Sequence, residues 1–376
     1  MASIIKNGFP ESILGPKFAS DQLKTFKEHI AASLSFVVIS MPGVGVSHFL
    51  KYLACQDLAL FCYVDAYSLP HLTKYDLYKR LLSQLGGKPG SKQEDQLFHQ
   101  SRAILKALTK KHDKIVIIFS RFDQLRKEFD HEFLGNLRSL VRIARGKIVL
   151  ILTATNPLNE ISPEAIAGGN LGFYSENLYF KPYSKEDLKK LLPLTSYKPT
   201  DKATIDEMIN LSGGHNQLLH ILLNSQKENL MHDQFVKMQM RDLIANLDYA
   251  QRKQLQKIAL GKKIPGVDES LSGIGIVRKT DSGFELFTPL LKDYIKRNLP
   301  VKLPVKENKL FKLLRKNSGR VVTKDEIFAE VWEENPEKAT DWALDALIYR
   351  LRRHPFIQSQ GYIIESYKKQ GYSLIS

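Results

Sequence analysis

Between residues 36 and 182 the chain repeats one pattern: a short apolar run, then a stretch in which apolar residues recur every three or four positions. The runs are Phe36 to Ser40, Leu60 to Asp65, Ile115 to Phe119, Ile148 to Thr153 and Leu178 to Phe180. Continuous apolar runs of this length suit strands buried on both faces, and parallel strands need crossovers of the kind helices supply. The intervening segments include Asp76 to Leu85, Gln93 to Lys111 and Phe129 to Ala144, the last with Phe133, Leu137, Leu140, Val141 and Ala144 on one face. The pattern predicts an α/β layer of five parallel strands covered on both faces. After Pro182 the runs stop, and Lys185 to Leu192, Thr200 to Leu211 and Asn216 to about Lys227 read as successive helices of a lid.

A chain of 376 residues exceeds what one core serves, so two to four packed units are expected. Hydrophobic residues at 43% and charged residues at 25% exclude disorder, collagen-like repeats and coiled-coil arrays. No apolar run is long enough to cross a bilayer, and Met1 to Pro10 has no stretch of signal-peptide length, so a cytoplasmic protein without membrane partners is expected. Cys55 and Cys62 form no disulfide framework or zinc spacing and are expected reduced and buried. His48, His71, His99, His112 and His131 are scattered without ligand spacing, so no metal site is expected. Net charge is the extreme feature: +15, of which the last 141 residues carry +9. Such an excess favours a polyanionic partner through counterion release, with nucleic acid first.

Ser40-Met41-Pro42-Gly43-Val44-Gly45-Val46-Ser47 lies between the first strand and a helix opening near Ser47. That is where a nucleotide-binding protein places a loop whose backbone N–H groups cradle phosphate. Gly43 and Gly45 are present. The motif G-x-x-x-x-G-K-[ST] would also need a glycine where Ser40 stands and a lysine where Val46 stands. The third strand should end in an acidic pair for Mg²⁺ and for the attacking water, and here Ser120 and Arg121 follow it. Three electrostatic parts of phosphoryl transfer are therefore missing together. A surface ion pair is the expected role of Arg121.

Over roughly residues 10 to 235 this arrangement resembles the AAA+ and STAND class of P-loop ATPases. Thr155-Asn156 stands where that class has its sensor asparagine, and Leu211-Ser212-Gly213-Gly214-His215 where its lid helix opens. The resemblance implies the fold and, ordinarily, ATP·Mg binding and hydrolysis. Nucleotide binding carries over only to Gly43, Gly45, Ser47 and Asn156, and fails at Val46, Ser120 and Arg121. A scaffold or partner-binding module without catalytic residues is expected, with no cofactor unless ATP is retained. No Ser/His/Asp, Cys/His or paired-carboxylate arrangement suggests another enzyme.

Near the C-terminus, Leu303 to Asn317 carries apolar residues at Leu310, Phe311, Leu313 and Leu314, and Thr323 with Glu326 forms a capping box for a second helix reaching Trp332. A turn with Pro336 leads to a third helix capped by Thr340 or Asp341. Its Leu344, Leu347, Ile348 and Leu351 make a buried stripe, leaving Trp342, Asp345, Tyr349, Arg352 and Arg353 on the opposite face. Tyr362 to Glu365 and Tyr372 to Ile375 form a hairpin around Ser366-Tyr367-Lys368-Lys369-Gln370-Gly371. Across about residues 301 to 376 this plan resembles the winged-helix DNA-binding domain of the OmpR/PhoB response-regulator family. The quoted matches are Gly319 to Glu326, Leu344-Asp345 with Tyr349 to Arg353, and Lys369 to Leu374. The resemblance implies double-stranded DNA as partner, with Arg350, Arg352, Arg353, Lys368 and Lys369 as phosphate or groove contacts and Trp342 and Tyr349 on the reading face. That family often has an arginine where Trp342 stands and a histidine where Leu347 stands, so base preference does not transfer. Ile244 to Arg297, with a hairpin signal around Asp281-Ser282-Gly283, resembles the winged helix that follows the lid in STAND proteins and is expected to be a spacer.

The expected architecture is a parallel P-loop-type α/β domain (1–184), a helical lid (185–235), a winged-helix-like α+β spacer (236–300) and a second winged helix that binds DNA (301–376). The expected function is a DNA-binding transcription regulator, whose ATPase-like part senses a signal, binds a protein partner or self-associates. A nucleotide-gated switch or replication-initiator-like protein is the alternative, separated by ATP binding and turnover. An adaptor whose winged helices hold proteins is a third class, and it would lack salt-dependent DNA binding.

Overall fold

The computed structural model describes residues 9–194, 202–225, 229–298, 303–333, 339–354, 357, 362–368 and 370–375. The chain divides into two compact units, Met1–Leu243 with Glu269–Arg278, and Ile244–Asp268 with Lys279–Ser376.

The first unit is built on α1 (Ser20–Ala31), β1 (Phe36–Ser40), α2 (Val46–Ala54), β2 (Leu60–Asp65), α3 (Lys74–Gln84), α4 (Glu94–Leu108), β3 (Ile115–Ser120), α5 (His131–Val141), β4 (Ile148–Ala154) and β5 (Asn177–Phe180). The five strands form one parallel sheet in the order β2-β3-β4-β1-β5. Every residue of β1, β3 and β4 is buried, which is why these segments read as unbroken apolar runs. Helix starts follow their caps: the side chains of Thr73, Asp130 and Ser184 accept from the backbone N–H of Asp76, Phe133 and Asp187. Strand order reverses beside β1, between β4 and β5, and such a switch point opens a crevice at the carboxyl ends of the strands. The helices after the sheet are α6 (Lys185–Leu191), α7 (Lys202–Ser212), α8 (Asn216–Asn224) and α9 (Gln234–Ala245).

Cys62 is buried in β2, where burial pushes its thiol up to about 12, whereas Cys55 is only half-buried. Among the described residues no helix is long and apolar enough to cross a membrane.

The second unit begins with α10 (Tyr249–Ala259), opened by a reciprocal capping box between Asp248 and Gln251. The hairpin β6 (Val277–Thr280) and β7 (Gly283–Leu286) turns at Asp281-Ser282, and α11 (Pro289–Asn298) follows. The last 70 or so residues hold α12 (Val305–Lys316), β8 (Val322–Thr323), α13 (Lys324–Val331), α14 (Asp341–Arg353), β9 (Ile363–Tyr367) and β10 (Gly371–Ile375). Leu310 and Leu314 of α12, Ile327 of α13, Leu344, Leu347 and Leu351 of α14 and Leu374 of β10 share one core. The Thr323 and Glu326 capping box is present. The two-residue strand β8 escapes sequence reading because a period of two needs more residues to show. It pairs antiparallel with β10, making the hairpin three-stranded. A Cβ at Gly371 would strike the Val322 carbonyl, so this pairing requires a glycine there.

Candidate functional site

The loop after β1 ends at Gly45, whose φ of 109° places it at the N-cap of α2 without a side-chain cap. Its four carbonyls Pro42 to Gly45 face the start of α8 and its neighbours. The backbone N–H of Gln217 donates to Gly43 O at 3.0 Å and that of Asn216 to Val44 O at 3.4 Å. His215 Nε2 and Gln239 Nε2 donate to Pro42 O at 2.9 and 3.3 Å, and the Tyr183 hydroxyl donates to Gly45 O at 2.8 Å. Gly43 has φ 79°, and a Cβ there would run into the Gln217 side chain. On Gly45 a Cβ would stand 2.7 Å from Tyr183 Cε2 and 3.0 Å from Asn216 Cβ. Both glycines are thus required by the close approach of protein side chains.

His215 is fully buried and caps α8: its Nδ1 accepts from Leu218 N at 3.1 Å while Nε2 donates to Pro42 O. This pair of bonds assigns the neutral ring its proton on Nε2. Burial pulls its pKa down to about 4 against the opposing hydrogen bond to Pro42.

At the positions for phosphoryl transfer, Val46 is the first residue of α2, and the Ser47 hydroxyl lies 3.4 Å from the Ser120 hydroxyl at the end of β3. The buried Tyr63 hydroxyl approaches these two without hydrogen-bond geometry to either. Arg121, at φ 56°, donates its backbone N–H to Thr153 Oγ1 at 2.6 Å, and its guanidinium pairs with Asp65 and lies 4.3 Å from the Tyr67 ring centroid. The ion pair expected for Arg121 is present. Asn156 is half-buried just past β4, beside Thr155, whose N–H and Oγ1 both donate to Asp123, at 3.0 and 2.9 Å. Among the described residues no three His, Cys, Asp or Glu side chains are grouped to hold a metal. Sequence reasoning located Gly43, Gly45 and Ser47 but missed Tyr183, Asn216, Gln217 and Gln239. Nothing in the sequence pairs a loop with a helix about 170 residues away.

In the C-terminal region α14 begins after Thr340, whose side chain accepts from Ala343 N. Arg350 Nε donates to buried Glu307 of α12 at 2.8 Å. Arg352 donates to Ile364 O through Nε at 2.9 Å and Nη2 at 2.6 Å, and to Ser366 Oγ at 2.7 Å, fastening the hairpin to the helix. Asp345 accepts from the Tyr372 hydroxyl at 2.8 Å. Arg350 and Arg352, expected as contacts, and Asp345, expected on the exposed DNA-binding face, therefore also brace the domain. Trp342 is 81% exposed and Tyr349 56%, with the Arg353 guanidinium stacked 4.5 Å from the Tyr349 ring centroid. Lys368 is exposed at the hairpin turn, and Lys369 lies outside the described residues.

Residues 298–374 match the family model described as "Transcriptional regulatory protein, C terminal". The C-terminal segment is a DNA-binding transcription-regulator domain of the OmpR/PhoB type. No curated protein matches the chain. Solved structures similar to it include the Aeropyrum pernix ORC1 protein in complex with DNA, at 12% identity over 97% of this chain and 91% of that one, TM-score 0.43. The ADP form of the Aeropyrum pernix ORC2 protein aligns at 12% identity over 96% and 90%, TM-score 0.46. A Walker-type ATPase of Pyrococcus abyssi aligns at 16% identity over 76% and 97%, TM-score 0.45. At these scores the likenesses add nothing to the strand order, which itself is that of a P-loop α/β fold.

Proposed function

We propose that this chain is a DNA-binding transcription regulator whose N-terminal unit is an ATPase-shaped scaffold or sensory module that does not hydrolyse nucleotide. The observation that carries the reading is the third helix of a winged helix, α14, presenting Trp342, Tyr349 and Arg353 outward on a basic domain. Arg350, Arg352 and Lys368, with Lys369 next in sequence, would add positive charge for phosphates. The proposed division is a P-loop-type domain over 1–184, a lid over 185–235, a winged-helix spacer over 236–300 and the DNA reader over 301–376. A protein partner or a second copy would engage the ATPase-shaped part.

The absence of hydrolysis is supported by the site's chemistry. Among the described residues the Ser47 and Ser120 hydroxyls face each other with no carboxylate bonded to either, and the Asp65 carboxylate is taken by Arg121. That donor set does not fit Mg²⁺, and Val46 offers no cation to phosphate. Duplex affinity should fall steeply between about 50 and about 200 mM salt in a mobility-shift titration. Salt-independent binding, or none, defeats the reading. Calorimetry with ATP·Mg should show no micromolar binding; such affinity would favour a nucleotide-gated or replication-initiator-like switch. One observation favours that second reading, since Gly43 and Gly45 keep positive φ and α2 starts without a side-chain cap, as a phosphate loop would.

A further inference from the structure

The outward face of α14 is unusual in what it leaves unbonded. Its charged side chains are largely taken: Asp341 pairs with Lys324 at 2.8 Å, Asp345 holds the Tyr372 hydroxyl, Arg350 is on Glu307, and Arg352 is on the hairpin. Trp342, Ala346, Tyr349 and Arg353 follow one another at spacings of four, three and four, and so form a single stripe down the helix. Trp342, Tyr349 and Arg353 have no hydrogen-bond partner among the described residues. Arg353 lies over the Tyr349 ring, at the far end from the helix N-terminus. Leu347 is fully buried in the core and unavailable to a ligand.

In helix-turn-helix docking the N-terminal residues of the third helix meet the base edges. Here the first two turns offer that position an indole and a methyl group, with no free Arg, Lys, Asn or Gln for bidentate pairing with guanine or adenine. The complementary feature of the major groove is the thymine 5-methyl group, the one apolar mark a base pair displays there. An exposed tryptophan at this site otherwise has no account within the domain, since its ring is outside the shared core.

We propose that Trp342, backed by Ala346, is a thymine-methyl reader, so that this domain selects its site by apolar contact and not by hydrogen bonds from α14 to bases. The proposal rests on the DNA-binding reading above. It is tested with the full chain and duplexes selected from a random pool, replacing thymidine by deoxyuridine one position at a time. Deoxyuridine pairs identically and lacks only the methyl group. At one or two positions per site the substitution should weaken binding about fourfold, the equivalent of one buried methylene-sized group. Trp342→Ala should bind thymidine and deoxyuridine duplexes alike, while Trp342→Phe should keep the discrimination. Tight, sequence-selective binding indifferent to deoxyuridine overturns the methyl-reader assignment alone, as does discrimination that survives in Trp342→Ala. Failure of the chain to bind any duplex at low salt removes the DNA-binding reading as well, and assigns Trp342 to a protein contact.

Discussion

The two ends of the chain treat a helix N-terminus in opposite ways. At the phosphate-loop position the start of α8 turns inward: its His215, Asn216 and Gln217, with Tyr183 and Gln239 from neighbouring segments, donate to the carbonyls of Pro42 to Gly45. At the start of α14 the backbone is capped by Thr340, and the side chain beside it, Trp342, is left in water. The first arrangement buries polar groups that must stay paired, and so resists opening. The second keeps apolar surface exposed, a standing cost that only a partner offsets. The contrast separates a part whose groups serve its own packing from a part whose groups are held ready for something else.

The largest expected effect tests the inward-facing end. His215 is neutral and buried, with its pKa drawn down to about 4 from an ordinary value near 6.5. Between those values the unfolded chain binds a proton that the native one does not, so stability rises with pH across the window. Acidifying from pH 7 to 4 should cost the N-terminal unit about 3 kcal/mol. His220, also shifted down by burial, adds in the same direction. Both tryptophans, Trp332 and Trp342, lie in the C-terminal domain, so their fluorescence follows that domain alone while circular dichroism follows the whole chain. The reader should respond less. Glu326, held down to about 2 first by its hydrogen bond from Arg320, gives up its contribution as pH falls from about 4.5 toward 2, so most of that loss lies below pH 4, and half-buried His354, pulled down by burial, acts in the same direction as His215. His215→Asn retains a capping acceptor without a titrating ring and should flatten the N-terminal transition; equal pH responses of the two units would break the contrast.

A smaller effect comes from Gly45→Ala. Its Cβ would press on Tyr183 and Asn216 at a φ that side-chain-bearing residues rarely adopt, and should lower stability by about 2 kcal/mol. An unchanged melting temperature would mean that Tyr183 and Asn216 do not press on the loop.

The smallest effect sharpens the outward-facing end. Arg352→Ala removes the bonds to Ile364 and Ser366 and should destabilise the reader by about 1 kcal/mol, seen in the tryptophan signal. Arg353→Glu should leave that signal alone, weaken duplex binding and lower the salt slope by about 1. If the two variants exchange these signatures, bracing and contact have been assigned to the wrong arginines.

Much of the fold was legible because it rests on local regularities. The five apolar runs became β1 to β5 with ends shifted by at most one residue, since strands buried on both faces leave an unbroken signature. Capping residues such as Thr323 announced helix starts because their chemistry is confined to a few neighbouring positions. Helix α1 and strand β8 were not anticipated: Ser20–Ala31 precedes the first apolar run, and β8 has only two residues. For the candidate sites, the exposed stripe Trp342 and Tyr349 followed from helical periodicity. The bracing by Arg350, Arg352 and Asp345 did not, because Glu307, Ile364 and Tyr372 lie 12 to 43 residues away.

Composition and periodicity alone determined that this chain carries a parallel α/β layer, further helices after it and a basic unit of three helices and a hairpin at its end, because burial writes itself into spacing. Only tertiary structure decided that α8 sits on the loop after β1, that His215 is neutral there, and that four of the charged groups on α14 are engaged within the domain while Trp342 is not. Those facts depend on which distant backbone carbonyls and carboxylates come within hydrogen-bond reach, and one-dimensional spacing carries no record of that.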